Sequence, residues 1–267
     1  TLLVRGSYGT GFRAPDMHYL FADNDYYRTV STDYYQCRTE EPGYSDADCY
    51  DDGSWDVNTF DVYTGNMQLE VETSKSFTAG FVWSPTANFD LAVDYYRIRI
   101  ANQVQSQSRE RLRADEANCL LGDAGVSVDM NSPTCVDALA RVVREDSSDP
   151  FSTITSVLFA PINIANEETS GIDVTANYRL QTASAGDFRF TGNYTWADRH
   201  SRQQYPGDPE EDMLDLSFSA TTLPRTKGNI GVDWDRNAWG AGLFGNYVGR
   251  VANYNNDAWI QATWRFN

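Results

Sequence analysis

Apolar and polar positions alternate along most of this chain with a period of two. Between Thr169 and Leu180, Ile172, Val174, Ala176, Tyr178 and Leu180 alternate with Gly171, Asp173, Thr175, Asn177 and Arg179. Between Phe188 and Trp196 the apolar set is Phe188, Phe190, Tyr194 and Trp196, set against Arg189, Thr191, Asn193 and Thr195. One parity also runs through Met67, Leu69, Val71, Phe77, Ala79, Phe81 and Trp83. Strict alternation puts one face of a strand against an apolar medium and the other against water. The pattern predicts about eight strands, near 2–12, 66–83, 88–101, 164–182, 187–199, 213–235, 238–250 and 257–267. It slips once: after Leu91, Val93 and Tyr95 the apolar parity passes to Tyr96, Ile98 and Ile100. A bulge, or a strand leaving its apolar medium, accounts for such a slip.

The connections sort by length. "SPTAN", "TASAG" and "DRNA" are short, and they alternate with longer segments at 13–65, 102–163, 200–212 and 251–256. A soluble sandwich has no reason to put every tight turn at one end, whereas an outer-membrane barrel does so, with an apolar outside and a polar lumen. Trp83, Trp234 and Trp239 lie beside the short turns at the outward parity, as an interfacial girdle requires; the plain alternative is that each fills the core of a soluble sheet. The opening "GSYGTGFRAPD" fits the same scheme. Leu2, Val4, Tyr8 and Phe12 share a parity opposed by Arg5 and Ser7, so the glycines close a strand. They lack the spacing and following helix of a nucleotide-binding loop. In the second long connection, Ser132-Pro133 marks a helix start, followed by Val136, Leu139, Ala140 and Val143 at helical spacing.

Composition narrows the reading. The 267 residues carry 38 Asp and Glu against 21 Lys and Arg, a net charge of −17, which argues against nucleic acid as a partner. Mean hydropathy is −0.53, and no apolar run approaches the roughly 20 residues of a membrane-spanning helix. The first residues show no signal-peptide pattern, and a start in mid-pattern at Thr1 is expected of a fragment. Acid concentrates between Asp33 and Asp61, with nine Asp or Glu and only Arg38 to oppose them. Four cysteines, Cys37, Cys49, Cys119 and Cys135, lack zinc-site spacing, which favours disulfides in an oxidising compartment.

Several separated pieces resemble the TonB-dependent outer-membrane receptors. "VRGSYGTGFRAPDMHYLF" is similar to the barrel strand that ends in a Phe-Arg-Ala-Pro corner. "NMQLEVETSKSFTAGFVWSP" is similar to the next, descending strand, with Glu72 and Ser74 at the family's Glu and Ser positions and Val71 in place of a frequent proline. "LAVDYYRIRIANQV", "NEETSGIDVTANYRL" and "LPRTKGNIGVDW" follow in family order, so the likeness covers most of the chain. The resemblance implies that residues 1–267 are part of one 22-stranded antiparallel barrel of the bacterial outer membrane, all-β, with long extracellular loops containing short helices. It implies import of a scarce small-molecule nutrient (ferric siderophore, cobalamin or glycan), coupled to TonB, by a protein that is not an enzyme. The partners expected are outer-membrane lipid, the protein's own plug domain, TonB and the nutrient ligand. The plug, the TonB box and the terminal strands lie outside these residues, and no cofactor is called for.

On this frame, inward parity places Arg5, Glu70, Glu72, Asp90, Asp94, Asp173, Arg179, Arg189, Asp215, Asp233 and Arg265 along the lumen, where some would meet the plug; a merely hydrated interior is the alternative. In the first long loop, Tyr26, Tyr27, Tyr34, Tyr35, Tyr50 and Trp55 are candidates to stack on a ligand, or else they pack the loop against itself. Asp46, Asp48, Asp51 and Asp52 supply hard oxygens but miss EF-hand spacing, leaving a weak calcium site against a solvated loop. Local pairing, Cys37 with Cys49 and Cys119 with Cys135, is entropically easier than pairing between loops. Two other functions stay open: a secreted soluble all-β binding module stapled by disulfides, and an outer-membrane hydrolase. For the hydrolase, His200 with Asp198 is the sole local pair.

Overall fold

The computed structural model describes residues 1–122, 129–218, 221–253 and 258–267. Strand β1 (Leu2–Arg13) leads through α1 (Met17–Phe21) into a long connection holding β2 (Asp25–Thr32), α2 (Tyr34–Glu40), α3 (Asp46–Asp52) and β3 (Asp56–Tyr63). A hairpin of β4 (Glu72–Thr86) and β5 (Phe89–Ser106) follows. The second long connection carries α4 (Arg109–Leu121), α5 (Pro133–Arg141), β6 (Val142–Arg144) and β7 (Ile154–Phe159). A hairpin of β8 (Pro161–Thr182) and β9 (Gly186–Gln203) precedes the short strands β10 (Glu211–Asp212), β11 (Ser217–Phe218) and β12 (Thr221–Thr222). The chain ends with β13 (Thr226–Arg236), β14 (Trp239–Val248), β15 (Val251–Ala252), β16 (Trp259–Ile260) and β17 (Thr263–Phe266).

Nine of these strands form one antiparallel sheet: eight follow the order β1-β4-β5-β8-β9-β13-β14-β17, a meander in which each strand pairs with the next, and the short β10 pairs with β9 off this path. The sheet is open, with β1 and β17 at its edges. Its three tight turns, at 87–88, 183–185 and 237–238, all fall at one end. The turn between β13 and β14 works because Asn237 adopts φ 53°, a left-handed conformation that a short polar side chain tolerates.

Three expected strands start later than their sequence pattern suggested. The strand expected at 66–83 begins at Glu72, and the one expected at 257–267 begins at Thr263. The one expected at 213–235 begins at Thr226. Pro224 has no N–H to give a ladder, and Asp215 sits at φ 63°, so the chain before Thr226 cannot extend the strand. Residues 219–220 of that expectation, and residue 257 of the last, lie outside the described residues.

The polarity slip after Tyr95 is not a bulge. The register of β4 against β5 runs without a shift from Thr73↔Ala101 to Trp83↔Leu91. What changes is the medium. On the apolar face, the positions that continue Tyr95 and Ile172 are Arg97, Arg99, Ser170 and Glu168, and Arg97 donates to Glu168 at 2.9 and 3.0 Å. Towards the tight turns, the same face stays apolar over five alternate positions per strand: Ile172 to Leu180 on β8, Phe188 to Trp196 on β9, and Trp239 to Tyr247 on β14. Eight residues at about 3.4 Å each, tilted about 40°, give a band roughly 20 Å tall, close to the ~25 Å apolar belt of an outer-membrane barrel.

The opposite face is polar and hydrogen-bonded across the strands. Thr175 donates to Asn193 and Asn193 to Asn229, each at 2.9 Å, while Thr195 donates to Asp173 at 2.6 Å. Neither buried apolar cluster of the described residues packs on the sheet's apolar face. Val4 there is 75% exposed. A soluble sandwich would cover that face with a second sheet.

The two faces should therefore respond differently to charge. Phe190→Arg, in the apolar band, is expected to cost ~2–4 kcal/mol in a refolding titration of the intact protein in lipid. Thr191→Arg, one residue on and facing the polar side, is expected to cost far less. Equal costs at the two positions would contradict this assignment of the faces.

Candidate functional site: a stapled cap at the loop end

The long connections fold together. β2, β3, β7 and β6 make a four-stranded mixed sheet in which β3 and β7 pair in parallel, joining residues from before β4 to residues from after β5. One side of β2 and β3 turns Ser31, Thr59 and Asp61 inward, all fully or nearly fully buried. Helix α4 is covered there, and its buried side chains include Arg113, Asp115 and Glu116 beside Leu112 and Ala117. The helices start as their caps dictate: Asp33, Ser45, Ser108 and Ser132 each accept from a backbone N–H of the first turn.

Arg144 holds this cap together. Its guanidinium is 5% exposed and uses its five N–H groups on Asp33 (2.8 and 3.1 Å), Glu116 (2.7 and 2.8 Å) and the Ser152 carbonyl (2.8 Å). One side chain thus ties the N-cap of α2, the middle of α4 and the end of β6. Burial pulls its pKa down, but Glu116 and Asp33 outweigh that and hold it above the ordinary arginine value. Burial also raises the Glu116 pKa, against the pull of Arg144. Nearby, Arg113 donates to the Thr32 carbonyl and to Ser31, both at 3.1 Å, and Arg109 pairs with Asp61 at 3.2 Å. Asp61 in turn accepts from the Val157 N–H at 3.0 Å.

Two disulfides close the cap's own segments, Cys37 with Cys49 and Cys119 with Cys135. The first joins α2 to α3, and the second joins the end of α4 to the start of α5. Residues between β9 and β13 dock against the same body. Arg111 pairs with Glu211, Tyr205 donates to Asp137, and Thr134 donates to Asp208 at 2.6 Å.

The six aromatic candidates divide. Tyr34 and Tyr35 are buried with both cysteines of the first disulfide and Ala117, so they belong to the cap's core rather than to a contact surface. Trp55 packs against that cluster and donates to Glu40 at 2.9 Å. Tyr27 lies 5.9 Å from the Phe159 ring and under the Arg109 guanidinium. Tyr26 and Tyr50 are open, 71% and 60% exposed.

The four aspartates do not converge. They lie on or at the ends of α3, where Asp48 completes a capping box with Ser45, Asp46 pairs with Arg38 at 3.3 Å, and Asp52 accepts from Ser54. Among the described residues no group of three or more metal-ligating side chains is found. The suspected His200–Asp198 pair is not formed: His200 lies 2.9 Å from Glu167. The register skips Asp198 between Arg199 and Ala197, making it the extra residue of a bulge, and it accepts from Ser170 instead.

The inward-parity residues are held in different ways. Arg5 reaches across β4 to Asp94 on β5, with its Nε 2.8 Å from Oδ1, and Gly80 makes this possible because a side chain there would collide with the Asp94 carboxylate. Glu72 is buried and accepts from Arg13 at 2.6 Å and from the Val104 N–H at 2.8 Å. Asn177 donates to Asp90 at 2.7 Å. Towards the tight turns, Arg179, Arg189 and Asp233 are register neighbours on three adjacent strands, while Arg265 stands opposite Asn246 near the loop end. Glu70 and Asp215 lie off the strands: Glu70 in the segment before β4, accepting from Asn102, and Asp215 held by Arg225.

A family model described as TonB dependent receptor-like, beta-barrel matches residues 1–267. Among solved structures, the siderophore receptor PirA from Acinetobacter baumannii is similar at 12% identity and a TM-score of 0.55, covering 99% of this chain and 32% of that one. The ferric enterobactin receptor PfeA from Pseudomonas aeruginosa, in complex with BCV-L6, is similar at 12% identity and a TM-score of 0.54, covering 99% of this chain and 30% of that one. The chain thus spans less than a third of these receptors' length, and the likeness concerns the fold. A search of curated protein sequences gives no match.

Two outcomes are expected of the cap. Arg144→Met leaves Asp33 and Glu116 buried without a counter-charge, so hydrogen exchange in α4 should show about 3–5 kcal/mol lost. Adding Asp33→Asn and Glu116→Gln should return much of it; no recovery would mean that Arg144 acts through something other than this pairing. The second outcome concerns pH. Burial raises the Asp115 carboxyl to about 6 against the pull of Arg111, with Asp208 and Glu211 adding to the rise. A pKa raised on folding stabilises the cap at low pH, and that contribution is lost as pH climbs through about 6. Opening of α4, corrected for intrinsic exchange, should therefore become easier between pH 4 and 7. Asp115→Asn should flatten that trend, and an unchanged trend would contradict the assignment.

Proposed function

This chain belongs to the TonB-dependent receptor-like β-barrel family, and on that premise we propose that it is part of the barrel of a bacterial outer-membrane receptor that imports a scarce nutrient. The carrying observation is the apolar band, five alternate positions tall on neighbouring strands. The tryptophans beside the turns bound it at one end, and the charged Arg97–Glu168 level bounds it at the other. The reverse face is a hydrogen-bonded polar surface. Lipid outside and a hydrated lumen inside account for both faces.

The closing of such a barrel to 22 strands, its plug and its coupling to TonB belong to regions beyond these residues. The Arg179–Arg189 juxtaposition fits a partner that supplies negative charge from within the lumen. Ferric siderophores come first among ligand classes, because receptors for them share the fold; cobalamin and glycans follow. The cap sits where incoming ligand would first meet the protein. Of the aromatic candidates, Tyr26, Tyr27 and Tyr50 remain available for contact. The family is one of transport receptors, which supports a non-enzymatic role.

Growth tests the proposal. In cells whose sole uptake route is the intact receptor, growth on a limiting ferric siderophore, cobalamin or glycan should require both the receptor and TonB. Growth on none of these, or growth indifferent to loss of TonB, would overturn it.

A further inference from the structure

Between β9 and β10 the chain makes a hairpin tip, residues 203–211, with Gly207 at φ 101° in its turn. The tip holds its own shape. Gln203 donates to the Asp208 carbonyl at 2.8 Å, and the Tyr205 N–H donates to the Asp208 carboxylate at 3.3 Å. Polar contacts join it to α4, α5 and the end of β5. Tyr205 donates to Asp137, Gln107 donates to the Tyr205 oxygen at 3.2 Å, and Thr134 donates to Asp208 at 2.6 Å. Arg111 pairs with Glu211 of the tip and, at 3.0 Å, with Asp115 one turn along its own helix. Neither buried apolar cluster of the described residues includes a residue of the tip. Charge therefore decides whether it stays docked.

We propose that this tip is a pH-operated latch, docked on α4 and α5 in acid and released near neutral pH, because Asp115 and Glu211 compete for Arg111. The proposal goes beyond the import reading and does not depend on which nutrient is carried. Asp115 is 6% exposed. Burial holds its carboxyl up at about 6 against the pull of Arg111, and Asp208 and Glu211 add to the rise. The last two belong to the tip and leave with it, so docking itself raises the Asp115 pKa. A group raised on docking favours the docked state in acid, and that preference is lost as pH climbs through about 6. With Asp115 neutral, Arg111 serves Glu211 alone. With Asp115 ionised, the guanidinium is shared and Asp115 repels the tip's two carboxylates. The other charged groups around α4 are engaged with each other: Glu116 and Asp33 with Arg144, Arg38 with Asp46, and Asp137 with Arg141 at 2.6 Å. On the hairpin itself, Arg202 stands opposite Glu211, and Arg199 pairs with Glu210 at 2.7 Å.

Double electron–electron resonance on the intact receptor in lipid vesicles tests the latch, with nitroxides at Pro206→Cys on the tip and Ala140→Cys on α5, both exposed positions. One short distance is expected at pH 5. A second, longer distance should grow by pH 7.5, the docking equilibrium falling about tenfold between the two. Asp115→Asn should keep the single short distance at both pH values. A control pair within the cap, Pro42→Cys with Ala140→Cys, should hold one distance throughout. An unchanged tip distance, release in acid instead, or a shift that survives Asp115→Asn would each overturn the proposal. So would a control pair that moves along with the tip, since the cap itself would then be unfolding. None of these distances involves TonB or a nutrient, so the growth assay above succeeds or fails separately.

Discussion

Backbone pairing within the apolar band is the constraint from which the rest follows. An amide left unpaired in hydrocarbon costs several kcal/mol, so a strand crossing it must be paired along its whole length by its neighbours. The registers of β4 through β14 meet that demand without a break across the band. The irregularities fall where water can pair the backbone. Asn102 at φ 56°, Asp215 at φ 63° and the donor-less Pro224 lie on the loop side, and the shift between Ser170 and Gly171 falls at the margin itself, where Arg97 stands opposite Ser170. The shift between Trp83 and Thr86 lies at the opposite margin, beside a tight turn.

This constraint explains why so much of the sheet is legible in sequence. A paired strand between lipid and water must alternate, and Phe188 to Trp196 does so without needing any distant residue to be known. The eight sheet strands, their parities and the grouping of tight turns all follow from such local signals, as does the helix start at Ser132-Pro133. The strand starts near Glu72, Thr226 and Thr263 were misplaced because loop segments also alternate by chance, and only the pairing partner decides where a ladder begins. The slip after Tyr95 has a clear cause once the neighbours are seen: Arg97 faces outward because Glu168 stands next to it.

The cap was far less legible. Its defining contacts join residues far apart in sequence, such as Asp33 with Arg144 and Val62 with Leu158. Helix α4 gives no apolar periodicity because the face it buries carries Arg113, Asp115 and Glu116, satisfied only by groups from other segments. Buried charges of this kind look like a solvated surface in sequence. The acidic first loop therefore reads as a possible cation site, whereas its carboxylates cap helices and hold arginines. Tyr34 and Tyr35 show the same limit: an aromatic in a polar loop gives no sign of whether it faces ligand or a disulfide. The result is one stapled body built from both long connections rather than two independent loops, with Tyr26, Tyr27 and Tyr50 left exposed on it.

The central claim is that two opposite media meet the two faces of this sheet. Nitroxide labels placed singly from Phe188 to Trp196 of the intact receptor in lipid vesicles test it most directly, by comparing collision with dissolved oxygen and with a water-soluble nickel chelate. The account predicts that oxygen contact peaks at 188, 190, 192, 194 and 196, and nickel contact at the odd positions between them. The two profiles should oscillate out of phase with a period of two. Profiles that rise and fall together, or that show no alternation, would contradict it.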